Sequence, residues 1–320
     1  MPKTLVIIYH KDDWDAEIPF ERSPDTRAAF ESFYDFARKK DVEVFRADIR
    51  WFDTARSCFK KAWTFRNDTW IRQEGPIIPD AIFDKMAGKR DYEFFVLKTS
   101  ISNRIQILNT PLFRTMFDNK LSQYLAFREF MPQSLLAEND EHLKEAIARI
   151  RTGKVVIKQI YGSGGKEVVI GDKTRLIETG VPLSFPVLVQ EFIGTSGIPG
   201  FSESEEVSDL RIVYVGKVPI YALSRIAKSG SLFTNFHQGA TARIVPMERI
   251  PADCLRMADA IRKTLDLFEN TNYSLDFMFS TDGTPFFVEM NTTPGFDLLH
   301  IMGTSELKEC YFESFLRLLR

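Results

Sequence analysis

Apolar positions along the chain recur with two different periods, and the period assigns most stretches. Residues 4–10 (TLVIIYH) form an unbroken apolar run, the pattern of an inner strand of a parallel sheet. Residues 11–24 are polar and contain prolines, which predicts a loop. Ser23-Pro24-Asp25 then opens a helix reaching about residue 40, proline being suited to a first helical turn. Residues 42–47 read as a second strand, so the chain opens β–loop–α–β, the start of a small open α/β domain. Alternation over 62–71 predicts edge strands, with a turn at Gly75-Pro76. A strand at 79–83, a helix near 92–102 and a strand at 104–108 complete this unit, and a linker falls near 109–111.

Residues 111–130 read as one helix with Asp118-Asn119-Lys120 in its middle, stopped by Met131-Pro132. A helix over 141–151 ends at Gly153 as its C-cap. The strand 155–158 ends on Lys158 and is followed by a glycine-rich turn, Gly162-Ser163-Gly164-Gly165, and a strand at 167–170. The strand 187–193 (VLVQEFI) carries an acid just past its apolar core, and the Gly-, Ser- and Glu-rich stretch 194–208 reads as a mobile loop. Residues 209–215 alternate as a strand, placing Asp209 and Arg211 on one face. Gly216-Lys217 turns the chain into a strand at 218–226, with Ser224-Arg225 near its end. A loop at 228–240 and an amphipathic helix at 251–267 follow. Two alternating apolar runs, 274–279 and 285–290, are joined at Thr281-Asp282-Gly283, where Asp-Gly supplies the positive φ angles of a tight hairpin. A helix at 305–319 closes the chain.

The 320 residues are 44% hydrophobic and 27% charged, an ordinary globular composition large enough for two or three domains. With 42 basic against 44 acidic residues, no whole-chain field exists to draw in nucleic acid or an anionic membrane. Cys58, Cys254 and Cys310 are odd in number and far apart, with no CxxC. That spacing argues for a reducing compartment such as the cytoplasm, and against a disulfide framework or a zinc site. The first residues lack a signal-peptide pattern, and no apolar run approaches the roughly 18 residues that span a bilayer. The 28 phenylalanines are read as core.

Candidate chemistry gathers on the hairpin and the strands before it. Asp276 lies in the first hairpin strand; Glu289 and Asn291, two apart, share a face of the second. Three oxygen donors on rigid strands suit a hard cation such as Mg²⁺; the bland alternative is a pair of surface acids flanking a core hairpin. The glycine turn at 162–165 lets backbone N–H groups approach phosphate oxygens, or is a plain turn. It is not a P-loop, because the GxxxxGK[ST] spacing is missing and no helix is expected after it. Arg211 and Arg225 could form an anion clamp, or Arg225 a plain ion pair with Asp209.

The order of these pieces is more specific than any one of them. Lys120, Lys158, the 162–165 turn, Gln190-Glu191-Phe192-Ile193, Asp209-x-Arg211, Ser224-Arg225, Asn235-Phe-His237-Gln-Gly-Ala240, Asp276 and Glu289-x-Asn291-x-x-Pro-Gly295 follow one another. This series resembles the ATP-grasp superfamily of carboxylate–amine ligases, most closely the ribosomal-protein glutamate ligase and glutathione synthetase branch. The resemblance covers roughly residues 110–300. It implies an α/β (α+β) ATP-grasp fold: an N-terminal open α/β pre-ATP-grasp domain over 1–109, a small lid subdomain with the glycine loop over 110–190, and a subdomain with the metal site over 191–320.

It also implies roles. Lys120 and Lys158 contact the ATP phosphates beneath a lid formed by Gly162, Ser163, Gly164 and Gly165. Gln190, Glu191, Phe192 and Ile193 form the hinge at the adenine, and Asp209 falls on the nucleotide side. Asp276, Glu289 and Asn291 hold one or two Mg²⁺ ions, with Mn²⁺ as a substitute. Arg225 and Arg211 stabilise the transferring phosphoryl group and an acyl phosphate, and Asn235 and His237 line the acceptor side. A loop histidine can equally hydrogen-bond the backbone, so an acid/base role for His237 is one of two readings. The implied activity is ADP-forming amide synthesis between small-molecule, peptide or protein carboxylates and amines, with no nucleic acid or membrane partner and with homo-oligomerisation left open. Alternatives are a ring-forming peptide-maturation enzyme and an ATP-binding protein without turnover.

Carboxylate activation by phosphoryl transfer asks a protein mainly for positioning and charge neutralisation, which such residues supply. A hydrolysis-prone acyl phosphate needs a lid that excludes water. No covalent nucleophile is required, so the cysteines can be core residues. Three features depart from the closest branch: the long 194–208 stretch, which leaves Glu203, Glu205 and Glu206 competing for the ribose; Thr234; and Ala240. The last two lie on the expected substrate side and make glutamate a doubtful donor.

Overall fold

The computed structural model describes residues 2–86, 92–162, 168–180, 184–203, 206–234 and 239–319. Among these residues the strands form three sheets. The first is built from β1 (Lys3–Tyr9), β2 (Val42–Asp48), β3 (Phe52–Asp53), β4 (Cys58–Arg66), β5 (Thr69–Ile77), β6 (Ala81–Asp84) and β7 (Gln106–Leu108). β1 pairs in parallel with β2 on one side and β6 on the other, and β6 continues in parallel to β7. The antiparallel strands β3, β4 and β5 extend the β2 edge. β1 is buried on both faces, as its unbroken apolar run requires. Helix α1 (Pro24–Lys39) covers the sheet with Ala29, Phe30, Phe33, Tyr34 and Ala37, a stripe at helical spacing.

The second sheet is antiparallel, with β8 (Ser134–Ala137), β9 (Lys154–Gln159), β10 (Val168–Asp172) and β11 (Val187–Glu191) in the order β10-β9-β11-β8. The third runs β14-β13-β12-β15-β16, where β12 is Ser208–Val215, β13 Val218–Ile226, β14 Thr241–Val245, β15 Asn272–Phe279 and β16 Pro285–Asn291. Alternate residues of β12 enter two different cores. Leu210, Ile212 and Tyr214 pack with Cys254, Ala258 and Ile261 of the helix Ala252–Thr264. Val213 and Val215 instead join the core of the first sheet.

That first core also takes Tyr311, Phe312 and Phe315 from the last helix, Ser305–Leu316, together with Phe296. Burying each such aromatic contributes roughly 1.5–3 kcal/mol. A helix of 12 residues is marginal alone, so this packing holds it in place.

Several elements differ from the pattern-based expectation. Residues 111–130 form two helices, Pro111–Phe117 and Lys120–Phe127, because the Asn119 side chain accepts the N–H groups of Leu121 and Ser122 and caps a new start. The helix Asp140–Arg149 stops at Ile150, which is already extended, so Gly153 is not its cap. Gly75-Pro76 lies inside β5, and the turn is at Asn67-Asp68, both with positive φ. In the β15–β16 connection only Gly283 has positive φ. That loop closes through Ser280 N–H to Thr284 O and Gly283 N–H to Ser280 O, a longer turn than Asp-Gly alone makes. Strands β8 and β14 and the helices Lys173–Thr179 and Asp297–Met302 had no clear pattern in the sequence.

Candidate functional site

The strand order of the third sheet lines up one charged face. Asp209 of β12 stands opposite Arg225 of β13, Arg211 of β12 opposite Asp276 of β15, and Asp276 opposite Glu289 of β16. A bulge makes the last pairing. Phe277 faces Phe287 and Asp276 faces Glu289, so Val288 is the extra residue. Strict alternation would have put Glu289 on the core side with Phe287, and the bulge turns it to the polar face.

Arg211 donates from Nε and Nη2 to the two oxygens of Asp276, each at 2.7 Å. Arg225 donates to Asp209 Oδ1 and Oδ2 at 2.9 and 2.6 Å, and to Asp276 Oδ2 at 2.7 Å. Burial alone would raise the pKa of Asp276, but the two guanidinium groups hold it below the ordinary carboxylate range. Burial also works against the charge on Arg225, yet Asp209 and Asp276 raise its pKa beyond the usual guanidinium value. The plain ion pair and the shared arginine pair are therefore both present. Asp209, expected on the nucleotide side, has its oxygens occupied by Arg225 and by the Thr234 hydroxyl at 2.6 Å. Thr234 is thereby a support for Asp209 and is buried with it, as is Ala240.

The two lysines come to this face from the second sheet and the helix beside it. Lys120 begins the helix Lys120–Phe127, donates to Gly162 O at 2.6 Å and lies 3.5 Å from Glu289 Oε1. Lys158 is buried, and desolvation pulls its pKa down to about 8 even though Glu289 favours the charged form. Ser163, Gly164 and Gly165 lie outside the described residues, as do Asn235 and His237.

In the stretch expected to form the hinge, Gln190 is buried and donates to Ser134 Oγ at 2.9 Å. The N–H of Glu191 goes to Gln133 O, and that of Phe192 to Thr152 Oγ1. Ile193 follows directly. The described part of the stretch 194–208, a stretch expected to be mobile, is anchored. Ile198 enters the core of the third sheet, Ser202 meets Ser208, and Glu206 accepts Arg243 on both oxygens. Glu206 is thus committed to Arg243, while Glu203 is largely exposed and Glu205 lies outside the described residues.

The metal expectation meets a suitable donor set. Asp276 and Glu289 pair across adjacent strands, and Asn291 shares the face of Glu289, three hard oxygen donors of the kind Mg²⁺ takes. Glu289 has a side chain 32% exposed. Asn291 accepts the Thr293 N–H at 2.9 Å, and a carboxylate or amide oxygen that accepts one such bond has a lone pair to spare. Among the described residues no group of three or more His, Cys, Asp or Glu is placed to hold a metal, so a set built on Asp276 and Glu289 would need the amide of Asn291.

A second group of residues was not legible in the sequence, because most of its partners are backbone. Asn109 donates to Asn272 O and Thr292 O and accepts the Asn272 N–H. Arg114, fully buried, holds Thr292 Oγ1 at 2.8 Å and Asp118 at 2.9 Å. Lys85 donates to Thr293 O and Pro294 O at 2.8 and 3.1 Å, and burial brings its pKa to about 8. Gln123 holds Met290. All of them grip the end of β16 or the segment that leads out of it.

Residues 120–308, more than half of the chain, match the RimK-like ATP-grasp domain. A protein of Pseudoalteromonas atlantica named probable alpha-L-glutamate ligase 2 is 29% identical over 171 residues, 52% of each chain. The chain spans about half the length of the curated relatives it matches first. Among solved structures, the D-alanyl-alanine synthetase A of Vibrio cholerae superposes with a TM-score of 0.62 at 13% identity, covering 100% of this chain and 99% of that one. A Chryseobacterium gregarium RiPP-associated ATP-grasp ligase, solved with ADP and a leader and core peptide, gives 0.62 at 18% identity, with 99% and 97% covered. These two likenesses establish the ATP-grasp fold. With the charged face of β12, β13, β15 and β16 and the matched domain together, the chain belongs to the RimK-like ATP-grasp family.

Proposed function

We propose that this chain is an ATP- and Mg²⁺-dependent, ADP-forming ligase that joins a carboxylate to an amine, acting on an amino acid, peptide or protein. The observation that carries this reading is the shared face on which Lys120, Arg211 and Arg225 converge on Asp276 and Glu289, with Lys158 close by. Cations so placed, balanced by few carboxylates, favour a polyanion over a neutral ligand.

In this reading Lys120 and Lys158 bind the phosphates, with residues 162–165 as the lid. Asp276, Glu289 and Asn291 would hold Mg²⁺, which neutralises phosphate charge when bound. Arg225 and Arg211 stabilise the negative charge that develops as the phosphoryl group moves to the carboxylate. Asp209 and Thr234 orient Arg225. Gln190 supports the hinge from inside the second sheet, and the backbone of Glu191 to Ile193 borders the adenine. Asn235 and His237 remain assigned to the acceptor side, and 1–109, 110–190 and 191–320 serve as substrate, lid and metal units of a cytoplasmic enzyme. The acid's carboxylate attacks the terminal phosphorus and ADP leaves. The amine then displaces phosphate from the acyl carbon, losing a proton as the amide forms.

Hydroxylamine tests this reading directly. Incubated with Mg-ATP and a panel of amino acids and acidic peptides, it should intercept the activated carboxylate as a hydroxamate in step with ADP release. Hydroxamate accompanied by AMP and pyrophosphate would overturn it.

A further inference from the structure

We infer that Gln123 is a positioning residue that sets the orientation of Glu289 and Asn291 through the main chain of Met290. Among the described residues β16 is an edge strand, paired only with β15. Its outward backbone groups would be left open, and where they are buried they need partners. Gln123 provides them at one residue. Its Oε1 accepts the Met290 N–H at 2.7 Å, and its Nε2 donates to Met290 O at 2.9 Å. The carboxamide thus makes the pair of bonds that a neighbouring strand would make.

The two bonded groups belong to the peptide planes on either side of Met290, one shared with Glu289 and the other with Asn291. Fixing both planes fixes the directions in which these two side chains leave the strand. The Met290 side chain points the other way, into the core of the third sheet.

Gln123 is itself held. It is buried, and Nε2 also donates to Phe117 O at 2.7 Å. It lies one turn after Lys120 on the same helix, so residues three apart share a face. One short helix therefore brings Lys120 to Glu289 and Gln123 to the backbone beside it. An apolar residue would fill the volume of Gln123 equally well, so burial alone does not account for an amide here.

The inference rests on the metal assignment above, and two measurements separate them. The first needs no metal. In Q123M, which conserves volume, the Met290 amide should exchange with solvent at least about tenfold faster than in the unmodified protein, with β12 amides unchanged. Unchanged exchange at Met290 would overturn the inference, and an equal rise across the sheet would mark a general loss of packing and also overturn it. The second is ADP binding with and without Mg²⁺. Q123M should bind ADP alone within about twofold of the unmodified protein but lose about tenfold of the strengthening that Mg²⁺ gives, and in a background that lacks both donors, E289Q with N291A, it should cause no further loss. Full Mg²⁺ strengthening in Q123M, or an additional loss in that doubly substituted background, would contradict the inference. If the unmodified protein shows no Mg²⁺ effect on ADP, the metal reading falls and the Met290 exchange rate still decides the part of Gln123. Should Q123M not fold, Q123E serves, since it keeps an acceptor for Met290 N–H and removes the donor to Met290 O.

Discussion

Among the described residues, two of the buried charge networks invite comparison, and one of them borders the proposed site. Asp84, Lys98, Arg114, Asp118 and Thr292 form the first, with Lys98 2.6 Å from Asp84 and Arg114 2.9 Å from Asp118. Lys98, Asp84 and Arg114 are fully buried, and the network ties the first sheet to the segment after β16. Arg211, Asp276, Arg225 and Asp209 form the second, equally well bonded, but it borders half-open Glu289 and the two lysines. The chemistry of the two is the same: desolvated side chains of opposite charge held in close contact. What differs is access: the second network adjoins Glu289, a carboxylate that is partly exposed.

The largest effects should come from breaking either network. Arg225→Met leaves Asp209 and Asp276 buried without their shared partner and should cost about 3–5 kcal/mol in urea unfolding, with turnover lost. Arg114→Met should destabilise by a similar amount, yet its folded fraction should still bind ATP. Loss of ATP binding there would erase the distinction between the networks.

Glu289→Ala separates them from the other side. It should lower turnover roughly a thousandfold while the melting temperature moves by only a few degrees, because this side chain is partly exposed and its ion pair with Lys120 is 3.5 Å long. Asn291→Ala should behave alike. A Mg²⁺-dependent, fully active Glu289→Ala protein would contradict the metal assignment.

A smaller, pH-dependent effect is expected at Lys158. Burial holds its folded pKa at about 8, below the value of about 10.4 of a free lysine. The unfolded chain therefore binds more protons between pH 8 and 10.4, and this residue's contribution makes stability rise across that window. Phosphate binding needs the charged form, so ATP affinity should fall by about tenfold per pH unit above 8, whereas Lys158→Arg should flatten the profile. The same slope in both proteins would exclude Lys158 as its source. The smallest contrast concerns the 194–208 segment: deleting residues 202–207 should destabilise, because Glu206 holds Arg243, but exposed Glu203→Ala should change stability by less than about 0.5 kcal/mol.

The open network was legible in the sequence, whereas the sealed one was not. Period-two alternation placed Asp209 with Arg211 and Glu289 with Asn291, because strands write their faces directly into residue order. The bulge at Val288 carries no sequence mark, although it decides which way Glu289 points. The break at Asn119 was hidden inside a continuous apolar period and is fixed by a local cap that competes with helix continuation. Asn109, Gln123 and Lys85 act on backbone groups more than 160 residues away, which no local pattern can reveal. The anchoring of the described part of 194–208 was missed for a related reason: its composition is that of a loop, and Ile198 and Phe201 are the apolar residues that tie it down.

The most direct measurement is the nucleotide product formed from Mg-ATP with a panel of amino acids, peptides and ribosomal proteins, with mass spectrometry on each mixture. The charged face of the third sheet predicts ADP formed only with a particular acid and amine, alongside a product lighter by one water than their sum. AMP as the product, or ADP released at the same rate with no acid present, would contradict it.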